Sequence, residues 1–244
     1  MRRSRRALPA AVAALALLVG CSADGDSDGD GSAGTSPGGG PVTASTGPAT
    51  SAPSRPAGSP SPSAGQVIAS SALLQPEDLG GARLEPLPEG DNAHLRPARP
   101  CAEPYPSDAT RSAAVAMRAY VSPGQNETPR VVLQYVGLHP GHGGAAFAEI
   151  TAAVRRCPGG LGAGQHRWEV AETGVAGDES MLLRVSARFS YGDEDVVSTT
   201  PAVLARVGDH VTVVADLGWE SASGAEPYVR DLAAKAVERL RAAG

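Results

Sequence analysis

From Ser22 to about Gly65 the chain is built almost wholly from Gly, Ser, Pro, Thr, Ala and Asp. No other feature limits so strongly what can fold. The stretch holds too little apolar surface to offset the entropy of ordering a backbone, so residues 21–65 are expected to form a disordered linker. A folded domain must come from residues 66–244, the size of one ordinary domain. As a flexible coil, ~45 linker residues span about 35–40 Å, and drawn toward polyproline II they approach ~140 Å. Two motif matches inside the run carry no chemistry. Asp24, Asp26, Asp28 and Gly29 fit the opening of a calcium loop, but the closing position, which should be Glu, is Thr35. Gly25–Gly29 and Gly34–Gly38 fit G-x-S-x-G, a pattern that works only on a strand-to-helix elbow.

Ahead of the linker, Arg2, Arg3, Arg5 and Arg6 precede an apolar run from Ala7 to Val19. A bilayer span needs about 20 apolar residues, so a short run behind a basic head reads as a signal peptide over residues 1–20. Leu18, Val19, Gly20 and Cys21 resemble the lipobox of bacterial lipoproteins. That resemblance implies cleavage before Cys21, a diacylglyceryl group on its sulfur, and a protein lipid-anchored at the extracytoplasmic face of the membrane. Loss of residues 1–20 removes four arginines and no acids, taking the net charge from −5 to −9. A chain so acidic is a poor nucleic-acid binder. Lys235 is the only lysine, which, with abundant Ala, Gly and Pro, points to a GC-rich genome.

Besides Cys21, only Cys101 and Cys157 remain. An even pair in an exported domain is expected to be a disulfide. A zinc site needs more ligands than two isolated cysteines supply, and a catalytic thiol needs a nearby base.

The domain's periodicity is legible. Residues 73–81 read as a short helix stopped by glycines, followed by a Pro-rich irregular stretch to Pro106. Val115, Met117, Ala119 and Val121 then alternate with Arg118 and Tyr120, and Leu133 and Tyr135 oppose Val132, Gln134 and Val136. A two-residue period means strand. Phe147, Ile150, Val154 and Cys157 fall on one helical stripe ended by Pro158, Gly159 and Gly160. Four strands follow. The first is expected to bury Trp168 and Val170, and the second carries Met181, Leu183, Val185, Ala187 and Phe189 on one face. "YGDED" reads as the turn to the third, "PAVLARV", and "VGDHV" as a tight turn to the fourth, which carries Val211, Val213, Ala215 and Leu217. A final helix from about Glu226 has Pro227 in its first turn and Val229, Leu232, Ala236 and Leu240 on its apolar stripe. The order β-β-α-β-β-β-β-α predicts an α+β fold, an antiparallel sheet with helices packed on one face. Val132, Val136, Leu204 and Val214 would then lie on the free face, an apolar patch suited to an envelope protein partner.

Several segments, "LLQPEDLGG", "RPCAEPYPSDATR", "VVLQYVG", "VRRCP", "GDES" and the final helix, together resemble actinobacterial sensor-domain lipoproteins. These are related to the extracellular sensor domain of PknH-type serine/threonine protein kinases. The resemblance covers most of the folded domain and implies a ligand-binding cleft. It departs from the kinase sensors in having one internal cysteine pair where they have two disulfides. No kinase domain accompanies it.

No catalytic signature stands out, so the chain is expected to be non-enzymatic and to need no cofactor. The five histidines are His94, His139, His142, His166 and His210. His139 and His142, three apart at a helix start, could begin a metal site, but no third ligand is visible and no metal is expected. With Trp168, one of two tryptophans, they are the expected ligand-binding residues. The expected function is a lipid-anchored extracytoplasmic ligand-binding or sensor-like domain. An envelope protein–protein interaction module, and a cell-envelope hydrolase with a convergent site, stand as alternatives.

Overall fold

The structure, a computed structural model, describes residues 67–122, 124 and 127–244. The expected signal peptide, Cys21 and the linker to residue 65 lie outside the described residues. Seven antiparallel strands form one sheet in the order β1-β2-β3-β7-β6-β5-β4. They are β1 (Glu85–Pro86), β2 (Ala113–Val121), β3 (Arg130–Leu138), β4 (His166–Thr173), β5 (Glu179–Tyr191), β6 (Glu194–Val207) and β7 (His210–Asp216). Helix α1 (Gly143–Arg156) follows β3, and α2 (Glu226–Ala243) ends the chain. The α+β class and the order of the main elements are those expected. The short edge strand β1 is an addition.

The helices do not share a face. Phe147, Ile150 and Val154 of α1 pack with Leu133, Tyr135, Leu183, Leu204 and Val213. Val229, Leu232, Ala236 and Leu240 of α2 pack with Val132, Val136, Leu182, Val203 and Val214 on the other side. Alternation places odd and even strand residues on opposite faces, and here both are apolar in the central strands β3, β6 and β7. That explains the nearly unbroken apolar run in β3: a strand buried on both sides has little use for polar residues. The expected free apolar face is therefore absent. Val132, Val136, Leu204 and Val214 have no exposed surface at all. Val170, expected in the core beside Trp168, is 37% exposed, at the point where the β4–β5 register shifts.

Two polar anchors hold this three-layer arrangement. The fully buried Asp216, at the end of β7, accepts hydrogen bonds from the backbone N–H groups of Gly218 and Ala225 at 3.0 and 2.8 Å. It also accepts one from Arg130 of β3 at 2.8 Å. One carboxylate thus fixes the loop that carries the chain across to α2. On the α2 side, buried Gln134 accepts the Leu74 N–H at 2.8 Å and ties the N-terminal segment to β3.

Candidate functional site

Over the α1 face of β4 and β5 the cover is not helix but the irregular stretch between Leu87 and Tyr105. Such a stretch has no ladder to satisfy its backbone, so side chains must do so. Leu95 and Ala98 are fully buried and bridge to each other across a tight turn. Arg96 donates to the carbonyls of Pro88 and Asp91. The Tyr105 hydroxyl donates to the Ala98 carbonyl at 2.6 Å. Arg99 donates from Nη2 to both carboxylate oxygens of Asp108 at 2.7 and 2.8 Å, and Arg111 adds a third contact at 2.7 Å. Arg99 also lies over the Tyr105 ring, 5.0 Å from its centre. Finally, Cys101 is bonded to Cys157 at the end of α1, with their Cα atoms 5.4 Å apart. The expected disulfide is present, and it fastens the cover to the packed helix.

Between this cover and β4 lies a cleft of about 460 Å³. Its central feature is a pair of imidazoles. His94 from the cover stacks on His166, the first residue of β4, with ring centres 3.9 Å apart and planes 22° from parallel. Trp168 presents its ring to His94 edge to face, at 6.1 Å and 78°. Arg99, Ala102, Gly159 and Gln165 complete the walls. Gly159 is required here. Its φ is +66°, and a Cβ would lie 2.0 Å from the His166 carbonyl oxygen. This close approach lets the Pro158 carbonyl accept the Trp168 N–H at 2.8 Å, so the segment after α1 shields that part of the sheet edge.

Burial holds both imidazoles in their neutral form. It pushes His94 down to about 4, with the neighbouring His166 adding to the effect, and it lowers His166 as well. Among the described residues no carboxylate lines the cleft to oppose this. A neutral imidazole can donate from one nitrogen and accept at the other, and both offer flat aromatic faces. The cleft is therefore equipped for planar or hydrogen-bonding groups.

The expected binding residues are split. Trp168 forms part of the cleft, though its ring is mostly core. His139 is buried elsewhere, with Nδ1 3.4 Å from the Thr110 hydroxyl, and burial lowers its pKa. His142 is exposed at the start of α1, its N–H bonded to the His139 carbonyl at 2.8 Å. They belong to one turn but do not converge on a common point. No cluster of three metal-ligating side chains occurs among the described residues. His94 and His166 were visible only as isolated histidines; no spacing in the sequence links a loop residue to a distant strand.

A second, more open groove of about 500 Å³ runs between α1 and the β4–β5 turn. Its floor is Phe147 and Met181, both core residues, and its rim carries Thr151, Arg155 and Glu179. Glu179 is already engaged by Arg206 at 2.7 Å. The groove lacks the converging ring groups of the cleft.

Comparison with known protein families, curated proteins and solved structures finds no match to this chain.

Proposed function

We propose that this protein is an extracytoplasmic ligand-binding, sensor-like domain, held at the membrane by lipid on Cys21, and that it binds its ligand in the His94–His166–Trp168 cleft without transforming it. One observation carries the reading. A sizeable concavity is bounded by a segment that a disulfide, an ion-pair cluster and two buried apolar residues hold in place. A site already organised before binding loses less entropy when the ligand arrives. The non-enzymatic part rests on the lining. Among the described residues it offers two imidazoles, an indole, a guanidinium and an amide, but no hydroxyl, carboxylate or free thiol beside a base. The resemblance to sensor-domain lipoproteins points the same way.

The test is native mass spectrometry on protein purified from its producing cell without denaturation. A fraction of molecules should carry a discrete added mass. A Gln165→Trp variant, which fills the cleft from an exposed wall position, should lose that mass while melting like wild type. Retention of the same mass by the variant would place the ligand elsewhere. Turnover of generic ester, peptide or phosphate substrates that vanishes on substituting one side chain would overturn the non-enzymatic reading.

A further inference from the structure

Strands β5 and β6 are longer than their neighbours. Pairing of β5 with β4 ends at Ala187, and pairing of β6 with β7 ends at Ala202. The two strands continue together to the Tyr191–Glu194 pair, closed by Gly192 at φ +62° and Asp193. A two-stranded arm therefore projects past the sheet. An isolated ribbon of this kind is marginal in water, and sheet edges normally carry features that block further pairing.

The arm's composition is unlike that of a spacer. By alternation Phe189, Tyr191 and Val196 share the α1 side, and Val197 lies on the other. None of the four belongs to either core. Tyr191 and Val197 are each 46% exposed, and Phe189 is one of only two phenylalanines in the chain. Around them stand Asp193, Glu194 and Asp195, all exposed, against the single cation Arg188. None of these three carboxylates takes part in an ion pair among the described residues. From the loop between β7 and α2, Glu220 accepts from the Tyr191 hydroxyl at 3.0 Å and adds a fourth acid.

One edge of the arm is also open. Thr199 turns its backbone outward from β5: its N–H donates to the Ser223 hydroxyl and its carbonyl accepts from the Gly224 N–H. The two-residue period then turns the N–H and C=O of Val197 and Asp195 outward too. Among the described residues, the backbone bonds on that side end at Thr199.

From these features we infer that the arm is a docking site for an extended, cationic segment of another protein. The segment adds to the β6 edge at Asp195 and Val197, sets lysine or arginine against the acidic tip, and lays apolar residues on Phe189, Tyr191 and Val196. Main-chain bonds supply affinity in this mode, and alternate side chains supply selectivity. The charge selects the occupant. An anionic membrane surface and a second acidic arm would both be repelled by the tip. The proposal is independent of the cleft.

The experiment uses the full chain in non-ionic detergent and a fluorescein-labelled peptide of alternating lysine and valine, read by anisotropy. The peptide should bind, more weakly as salt rises, and about 10-fold or more tighter than a glutamate–valine peptide or a lysine–glycine peptide. Asp193→Asn/Glu194→Gln/Asp195→Asn, which alters charge with little change of shape, should remove most of the salt dependence. Phe189→Ser/Val196→Ser should weaken binding about 10-fold. Gln165→Trp should leave it unchanged. Equal binding of all three peptides, or insensitivity to the charge-removing variant, overturns the proposal. So does concentration-dependent self-association in sedimentation, or binding to anionic vesicles, that the arm variants abolish.

Discussion

Replacing His94 by Phe tests the description of the cleft. Phenylalanine keeps a flat ring against His166 but cannot titrate. In the wild-type fold His94 is held neutral, with its pKa moved from an ordinary 6.5 down to about 4. The unfolded chain binds a proton through that interval while the folded chain does not. Falling pH therefore favours unfolding, so the linked stability is complete above the unfolded value and is lost as pH drops toward 4. The full depression corresponds to about 3 kcal/mol, of which about 2 kcal/mol is lost by about pH 5. Carboxylates complicate acid unfolding, but Asp78, Asp108 and Asp178 are held below an ordinary 3.8 and lose their contributions at lower pH. His139, His166 and His210, also lowered, are common to both proteins. Urea unfolding followed by circular dichroism between about pH 7 and 5 should show wild type losing about 2 kcal/mol more than His94→Phe. Parallel stability curves would mean that His94 is already solvated in solution, and the stacked cleft would be refuted.

Cys101→Ser and Cys157→Ser should each cost about 4 kcal/mol, since the bond closes a loop between residues 56 apart, and the double variant should be no worse than either single. Additive losses in thermal melts would show that the cysteines act separately. Asp216→Ala should destabilise by about 3–5 kcal/mol, because it strands Arg130 and two backbone N–H groups that the carboxylate satisfies. A loss under about 1 kcal/mol in urea would show that water replaces the carboxylate. Cys21→Ser should move the protein from the membrane fraction to the medium, read by fractionation and immunoblot; unchanged membrane retention would refute the lipid anchor.

Periodicity made the strands and both helices legible, because burial on one side of a strand or helix leaves a fixed spacing in the sequence. Spacing says which residues share a face, but not which helix covers it. Phe147 and Leu232 each sit on an ordinary apolar stripe, and nothing in either stripe reveals that the sheet lies between them. The first half of β6 was missed for a different reason. Ser198, Thr199 and Thr200 sit where the arm leaves the core, so they show no apolar alternation, and the sequence marks the strand only from Pro201 although it begins at Glu194. The cleft was the least legible part. His94 owes its position to the Leu95–Ala98 turn, a disulfide and the Arg99–Asp108 pair acting together. None of these leaves a periodic trace, whereas Trp168 was found because a strand carries it.

The N-terminal segment reaches the domain on the α2 side. Leu73, Leu74 and Leu79 belong to that core, and Arg239 grips Asp78 at 3.0 Å and Glu77 at 2.6 Å. The cleft opens on the opposite side of the sheet. Tension drawn through the chain at Val67 meets the packing of Ala72 and Leu73 first, then the Gln134–Leu74 bond, and only then the Arg239 grip. The Gln134–Leu74 bond passes the load straight to the central strand β3, and the Arg239 grip passes it to α2. These anchors therefore stand between a pull at Val67 and the cover at Leu87, which carries His94 into the cleft.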